Sequence, residues 1–324
     1  NIVRNNFDLK GAGVKVGIIS DSYNYNTRFV DEAPVNISNG DLPGTGNPDG
    51  NTLPINVLKE SIFRSSDEGR AMAQIVHDVA PKSEIAFRTG FIDANDFALG
   101  IVQLQQAGCK VIVDDVTYIT EPFFTDGVVA NAVDYVAWQG VSYFSAAGNF
   151  GGKSYQSTFN PAPTPPGKTG FAHNFGGGDR FQKVSLQKGD YTIVMQWEDN
   201  IYSKDATGTQ NDLDIYLVDD VGNVLVGYNR NNINRDPIEV LPISVKTASA
   251  VANIMVVRAQ GSVNVKFKYI VFSGEMKIEE FKSDSSTIVG QANAAGAIAV
   301  AAMRFNKSQP FAVETFSSIG GTTV

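Results

Sequence analysis

The sequence predicts an α/β fold, a parallel sheet covered by helices on both faces, interrupted by an inserted all-β, jelly-roll-like sandwich. Three observations carry this prediction. Apolar strands alternate with helix-period segments about three times before Asn149, the signature of parallel strands joined by crossover helices. From there to about Ser285 no amphipathic helix occurs, and short alternating strands recur between Gly, Asn and Asp turns. The chain then returns to VGQANAAGAIAVAAM, read as a small-residue helix feeding an apolar strand that belongs with the first half.

VKVGII (Val14 to Ile19) is a β-branched run entered through GAG. EGRAMAQIVHDVAP places Met72, Ile75, Val76 and Val79 at helical spacing and ends at Pro81. SEIAFRT is a strand, DFALGIVQLQQAG a helix closed by Gly108, and KVIVDDV a strand. A helix over Val128 to Gln139 precedes the strand VSYFSAAGN. The inserted strands are FQKVSL, DYTIVMQWE, DLDIYLVDD, NVLVGYN, IEVLPISV, ANIMVVRAQ and VNVKFKYIVF. The expected domains are 1–152 with 286–324, and 153–285.

The chain has 324 residues, 43% hydrophobic and 19% charged, enough to bury a core and inconsistent with disorder. A net charge of −8 without a Lys/Arg cluster argues against a nucleic acid partner. The single cysteine, Cys109, excludes an intramolecular disulfide and reads as a small buried residue. No apolar stretch approaches the length of a membrane span. Asn1 opens, and GGTTV closes, what reads as the interior of a longer product.

In a parallel sheet, functional groups gather at the carboxyl ends of the strands. Asp21, Asp67 with Glu68, Asp114 with Asp115, and Asn149 occupy those places. GAG (Gly11 to Gly13) precedes its strand, whereas a pyrophosphate-binding loop follows one, so a dinucleotide site fails on placement. Asp114 and Asp115 are adjacent and point to opposite sides, so at most one faces a cleft.

GAGVKVGIISDS, SYFSAAGNFG, and AIAVAAM followed by FSSIGG resemble, in order and spacing, segments of the subtilisin-like serine peptidases. The resemblance covers residues 1 to about 152 and about 286 to 324. It implies a serine endopeptidase acting on protein or peptide substrates, exported by a bacterium to the outside or the cell surface. It makes Asp21 the catalytic aspartate and Asn149 the oxyanion-hole donor. Where that family opens the first helix with a histidine, this chain has DEGRAM, and Glu68 is the candidate base. The related sedolisins use a glutamate in this role, but carry a further aspartate where this chain has Met72 and an aspartate in place of Asn149. His77 is expected to be a packed helix residue and His173 a solvated loop residue.

A glutamate titrates near ~4.3 and an imidazole near ~6.5, so an acid pH optimum is expected, with Asp21 orienting Glu68 or sharing its proton. The alternative for Glu68 is a residue that merely favours a helix N-terminus. Asp115 either binds a substrate amine, partners Glu68, or is a surface acid or cap. The family's nucleophile follows the segment resembling FSSIGG, and Ser317 and Ser318 fall too early for it. Residues 1–324 alone are therefore expected to be inactive. In DLDIYLVDD, Asp212 and Asp214, with Asp199 or Asn211, offer oxygens for Ca²⁺, against a reading as turn and strand-face aspartates. Trp197 and Tyr228 are surface contacts or core aromatics. The rival to the peptidase is a non-catalytic scaffold acting in adhesion or recognition through the sandwich.

Overall fold

A computed structural model of the chain describes residues 2–25, 32–63, 65–283, 285–304 and 312–321. The chain divides into two units: Asn1–Glu121, Asp126–Ala146 and Gly290–Val300, then Pro122–Thr125, Ala147–Val289 and Ala301–Val324. The sequence-drawn boundaries at 153 and 285 lie near the crossings at 147 and 289, whereas 301–324 groups with the second unit.

The first unit runs α1 (Ile2–Phe7), β1 (Lys15–Ser20), α2 (Glu32–Ser38), β2 (Asn56–Lys59), α3 (Glu68–Val79), β3 (Glu84–Thr89), α4 (Ala94–Gln106), β4 (Val111–Asp114), α5 (Val128–Trp138) and β5 (Ser142–Ala146). The second holds β6 (Ser154–Thr158), β7 (Pro161–Pro163), β8 (Phe171–His173), β9 (Gln182–Trp197), α6 (Tyr202–Asp205), β10 (Asp212–Val218), β11 (Val224–Tyr228), β12 (Ile238–Gln260), β13 (Lys266–Ser273) and β14 (Met276–Ile278). A 3₁₀ turn at Gly290–Asn293 leads back to β15 (Ala297–Val300).

In the first unit six strands pair in the order β15-β5-β4-β1-β3-β2, all parallel. Both faces are apolar, as a doubly covered sheet requires. Ile18, Ile85 and Phe87 pack with Ala73 of α3 and Ala33 of α2. Ile19, Ala86 and Ile112 pack on the other side with Phe97 and Ile101 of α4 and Val133 of α5.

The steps β2→β3 and β3→β4 run the same way across the sheet, yet α3 and α4 cover opposite faces. The crossovers β1→β2, β3→β4 and β4→β5 share one hand, and β2–α3–β3 has the other. Because about 98% of such crossovers are right-handed, α3 belongs to a left-handed one.

Two expectations for this unit are corrected. The buried face of α3 is Gly69, Arg70, Ala73 and His77, while Ile75 and Val79 are 63% and 66% exposed. The helix turns its small residues to the sheet because Gly69 lies too close to β3 for any side chain. A Cβ there would fall 2.3 Å from the Phe87 ring and 2.7 Å from the Ser22 carbonyl. VGQANAAGAIAV forms only the 3₁₀ turn before β15. Gly296 lets this segment approach α5, where a Cβ would meet Ala137 at 2.5 Å.

In the second unit one antiparallel sheet runs β11-β10-β12-β9-β13-β6, with β14 on β9 and β8 joining β7 to β12. The jelly-roll-like sandwich is thus realised as a single hydrogen-bonded sheet curled on itself. FQKVSL and DYTIVMQWE are parts of one strand, β9, and IEVLPISV and ANIMVVRAQ are parts of another, β12. These two pair along most of their length, with one register shift between Val245 and Ser249. KGD and the Ser/Thr/Ala run of β12, read as turns, stay extended. Alternate residues of the curled sheet, among them Leu186, Ile193, Trp197, Leu213, Leu241, Ile254 and Phe267, meet in one core.

His173 is a further correction. It lies in β8, 1% exposed, with Nε2 at 2.9 Å from the Tyr155 hydroxyl and Nδ1 accepting from the Asn160 amide at 3.1 Å. Burial pushes its pKa down to about 4. Trp197 is core: its indole N–H donates to Thr209 Oγ1 at 2.9 Å. Tyr228 stays 36% exposed.

Gly69→Ala, usually favourable in a helix, is expected to destabilise the chain here by about 1–3 kcal/mol through overpacking, read as a lowered denaturation midpoint.

Candidate active site

β1 ends at Ser20, and Asp21 turns its carboxylate onto the first turn of α3. Oδ1 accepts the backbone N–H groups of Ser22, of Glu68 at 2.9 Å and of Gly69 at 3.5 Å. Oδ2 accepts both the N–H and the hydroxyl of Ser66. These donors include N–H groups that a helix start leaves without intrahelical partners. The N-cap residue, Asp67, makes no capping hydrogen bond of its own. Asp21 therefore caps α3 from another strand. Burial alone would raise its pKa, but hydrogen bonds from Ser66, Ser22 and Gly69 outweigh that and lower it.

Asp67 adopts φ 63°, a left-handed conformation that costs a non-glycine residue about 1 kcal/mol. Its side chain holds it there. Oδ1 accepts from Ser22 Oγ at 2.6 Å and the Tyr25 amide at 2.8 Å, and Oδ2 from Arg70 at 3.1 Å. Arg70, also buried, donates to the Tyr23 carbonyl and to Glu32. Glu60 accepts the amides of Tyr23 and Asn24. The loop after β1 is thus tied to the helix at several points.

Glu68 emerges from this frame as the first residue of α3. It is exposed, and among the described residues no hydrogen bond or ion pair reaches its carboxylate. Asp115 follows β4, which pairs with β1 through Ile19 and Asp114. Its Oδ2 accepts from Ser20 Oγ at 3.1 Å. Burial first, then the charges of Glu68, Asp114 and Asp21, push its pKa up to about 7 against the pull of the Ser20 hydrogen bond. Asp114 points away, as alternation requires. Its Oδ1 accepts from Ser145 and Gln291, each at 3.0 Å. Burial raises its pKa to about 6, with Gln291, Tyr143 and Ser145 opposing.

The first unit therefore brings together three of the residues singled out from sequence. Asp21 is buried and enclosed by donors, burial and neighbouring acids raise the pKa of Asp115 to about 7, and Glu68 is exposed at the helix start without a hydrogen bond to its carboxylate among the described residues. Ser20, Ser22 and Ser66 were not foreseen as their supports. The serine-rich flanks IISDS and RSSDEG were the only signal. His77 is packed, 3% exposed, and burial lowers its pKa.

Asn149, Asp212 and Asp214 belong to the second unit. Asn149 is exposed on a turn after β5 that requires Gly148 at φ 93°. The Phe150 amide donates to Ser318 Oγ at 3.2 Å, and the Ser318 amide to the Gly148 carbonyl at 2.9 Å. Asn149 lines a cavity of about 430 Å³ with Lys153, Met276, Ile278 and Phe316. Ser317 and Ser318 are buried, and each hydroxyl accepts a backbone N–H, from Ala302 and Phe150.

Asp212 and Asp214 lie on β10, every residue of which is buried. Asp212 accepts from the Asn232 amide at 3.0 Å and Asp214 from the Tyr216 hydroxyl at 2.8 Å. Asp199 Oδ2 accepts from Thr209, Gln210 and Asn211, including the Asn211 side chain at 2.9 Å. Asp199 and Asn211 are thus engaged with each other, and burial raises the pKa of Asp214 to about 7. Among the described residues no three His, Cys, Asp or Glu side chains are grouped to hold a metal ion. Among these residues no helix is long and apolar enough to cross a membrane.

No protein-family model and no curated protein matches the chain. Among solved structures, it is similar to the CspB protease of Clostridium perfringens, at 14% identity and a TM-score of 0.49, covering 100% of this chain and 74% of that one. The self-cleaved protease domain of PatA matches at 23% identity and a TM-score of 0.30, covering 44% of this chain and 52% of that one. A lectin domain of lectinolysin, in complex with Lewis B antigen, matches at 15% identity and a TM-score of 0.19, covering 40% and 99%. Likenesses this loose assign neither fold nor activity by themselves.

The raised acids make a stability prediction. Asp115 and Asp214 titrate near 7 and Glu239, pushed up by burial, near 8. Their unfolded values are about 4. Between those limits the folded chain holds protons that the unfolded chain has lost, so stability falls as pH rises. Asp21 and His173 act in the opposite sense, but only below about pH 6.5. The denaturation temperature is expected to be higher at about pH 6.5 than at about pH 8. Scanning calorimetry in matched ionic strength checks this, and an equal or lower value at pH 6.5 would refute it.

Proposed function

We propose that the chain is the body of a bacterial secreted serine endopeptidase of subtilisin-like type, cleaving protein or peptide bonds at acid pH with Glu68 as general base. One observation supports this above the rest: the Asp21 carboxylate fixes the backbone of Glu68 at the carboxyl end of a parallel sheet, while among the described residues no hydrogen bond or ion pair reaches the Glu68 carboxylate. Glu68 would take the proton of the attacking serine. Ser317 and Ser318 do not fit the role of nucleophile, since both hydroxyls serve the backbone of the second unit. The attacking serine is assigned to sequence outside residues 1–324.

The test is reaction of the full-length protein with a fluorophosphonate serine probe. Labelling is expected to be faster at about pH 5 than at about pH 7.5, where a histidine base would do better. Glu68→Gln should lower the labelling rate by about 10²–10⁴-fold. A folded full-length protein that takes no label at either pH would favour the non-catalytic scaffold instead.

A further inference from the structure

Lys268, on β13 of the second unit, is fully buried. Its Nζ donates to the Ser286 hydroxyl at 2.8 Å and lies 6.0 Å from the centre of the Phe124 ring. Among the described residues no carboxylate pairs with it, and the charged group that acts on it is Lys266, on the same strand. Burial first, then the charge of Lys266, pull its pKa down to about 8. An amine that gives up its own proton so readily can take one from a hydroxyl beside it.

The peptide bond before Ser286 is held from the other side. The Ser285 carbonyl accepts from the Ser154 hydroxyl at 2.8 Å. Ser154 is fully buried at the start of β6, and β6 pairs with β13 through Ser154 and Ile270. One strand pair thus delivers both the amine and the second hydroxyl to the segment Ser285–Ser286. A nucleophile, a group that can accept its proton and a donor on the carbonyl oxygen meet at a single peptide bond. Because that bond belongs to the chain itself, no substrate has to enter, and burial is no obstacle.

We propose that the second unit cleaves its own chain between Ser285 and Ser286, with Ser286 as nucleophile, Lys268 as general base and Ser154 as donor to the carbonyl oxygen. Ser286 Oγ attacks the Ser285 carbonyl carbon while its proton passes to Lys268 Nζ. The C–N bond of that peptide then breaks, and Lys268 returns the proton to the leaving nitrogen. The product is an ester between the Ser285 acyl group and Ser286 Oγ, with a free amine on Ser286. Water reaches the ester at Ser285, which is half-buried, and hydrolyses it to a Ser285 carboxylate and the restored Ser286 hydroxyl. The pieces stay together, since Thr287 donates its hydroxyl to the Gly151 carbonyl at 2.6 Å and its amide to the Ile319 carbonyl at 2.8 Å. The cut therefore shows under denaturing conditions. This activity does not depend on the peptidase reading.

The test uses the full-length protein carrying Glu68→Gln, which silences the proposed peptidase base. It is incubated at about pH 7 and about pH 9, then read by denaturing electrophoresis and mass spectrometry. Two fragments are expected, one ending at Ser285 and one beginning at Ser286. They should form at a rate independent of protein concentration and faster at about pH 9, where Lys268 is neutral. Hydroxylamine, which captures an ester, should speed the release and leave a hydroxamate on Ser285. Ser286→Ala should abolish the cut, and Lys268→Met should slow it by about 10²–10⁴-fold. Ser286→Cys, which keeps a nucleophile of similar size, should retain a cut that an added thiol accelerates. A chain that stays intact at both pH values with hydroxylamine present overturns the proposal. So does a cut at this bond that persists in Ser286→Ala.

Discussion

The carboxylate of Asp21 binding the first N–H groups of α3 is the contact on which the site depends. It joins the end of the central strand to the start of the helix in the left-handed crossover, and it fixes the backbone from which Glu68 projects. The interaction is strong because an ionised acceptor meets several donors at the positive end of a helix dipole. Gly69 makes it geometrically possible, since any side chain there would push α3 away from Phe87 and Ser22. Asp67, held in a left-handed conformation by Ser22, Tyr25 and Arg70, turns the chain into the helix.

One consequence is a division of labour among acids that sequence alone does not separate. Asp21, Asp114 and Asp115 are all aspartates at strand ends. Asp21 is surrounded by donors and ionised, Asp114 is buried against Gln291 and Ser145, and Asp115 faces other acids with a single hydroxyl partner. The second unit shows the same principle. Glu239 is fully buried, and burial raises its pKa to about 8 against the pull of Arg230. Raising the pKa favours the neutral form, which is how a buried carboxyl is tolerated.

Much of the architecture was legible in the sequence. The alternation of apolar strands and helical segments gave the parallel sheet, and period-two patterning gave the antiparallel unit, because both depend on local side-chain direction. What was not legible depends on packing. The helical spacing of Met72, Ile75, Val76 and Val79 gave α3, and Met72 and Val76 pack against the sheet, but Ile75 and Val79 are exposed because Gly69 and Ala73 make the close approach to the sheet. His173, in a glycine-rich stretch, is a core residue because Tyr155 and Asn160 satisfy both ring nitrogens. The breaks inside β9 and β12 could not be told from turns by composition.

At the site, strand-end placement picked out Asp21, Glu68 and Asp115, but their hydrogen bonds decide which of them anchors the helix start. The most direct test of the account is a crystal structure of the full-length protein with its fluorophosphonate adduct. The account predicts a modified serine with its Oγ within about 2.6–3.2 Å of a Glu68 carboxylate oxygen. A modified serine remote from Glu68, with the Glu68 side chain directed away from it, would contradict it.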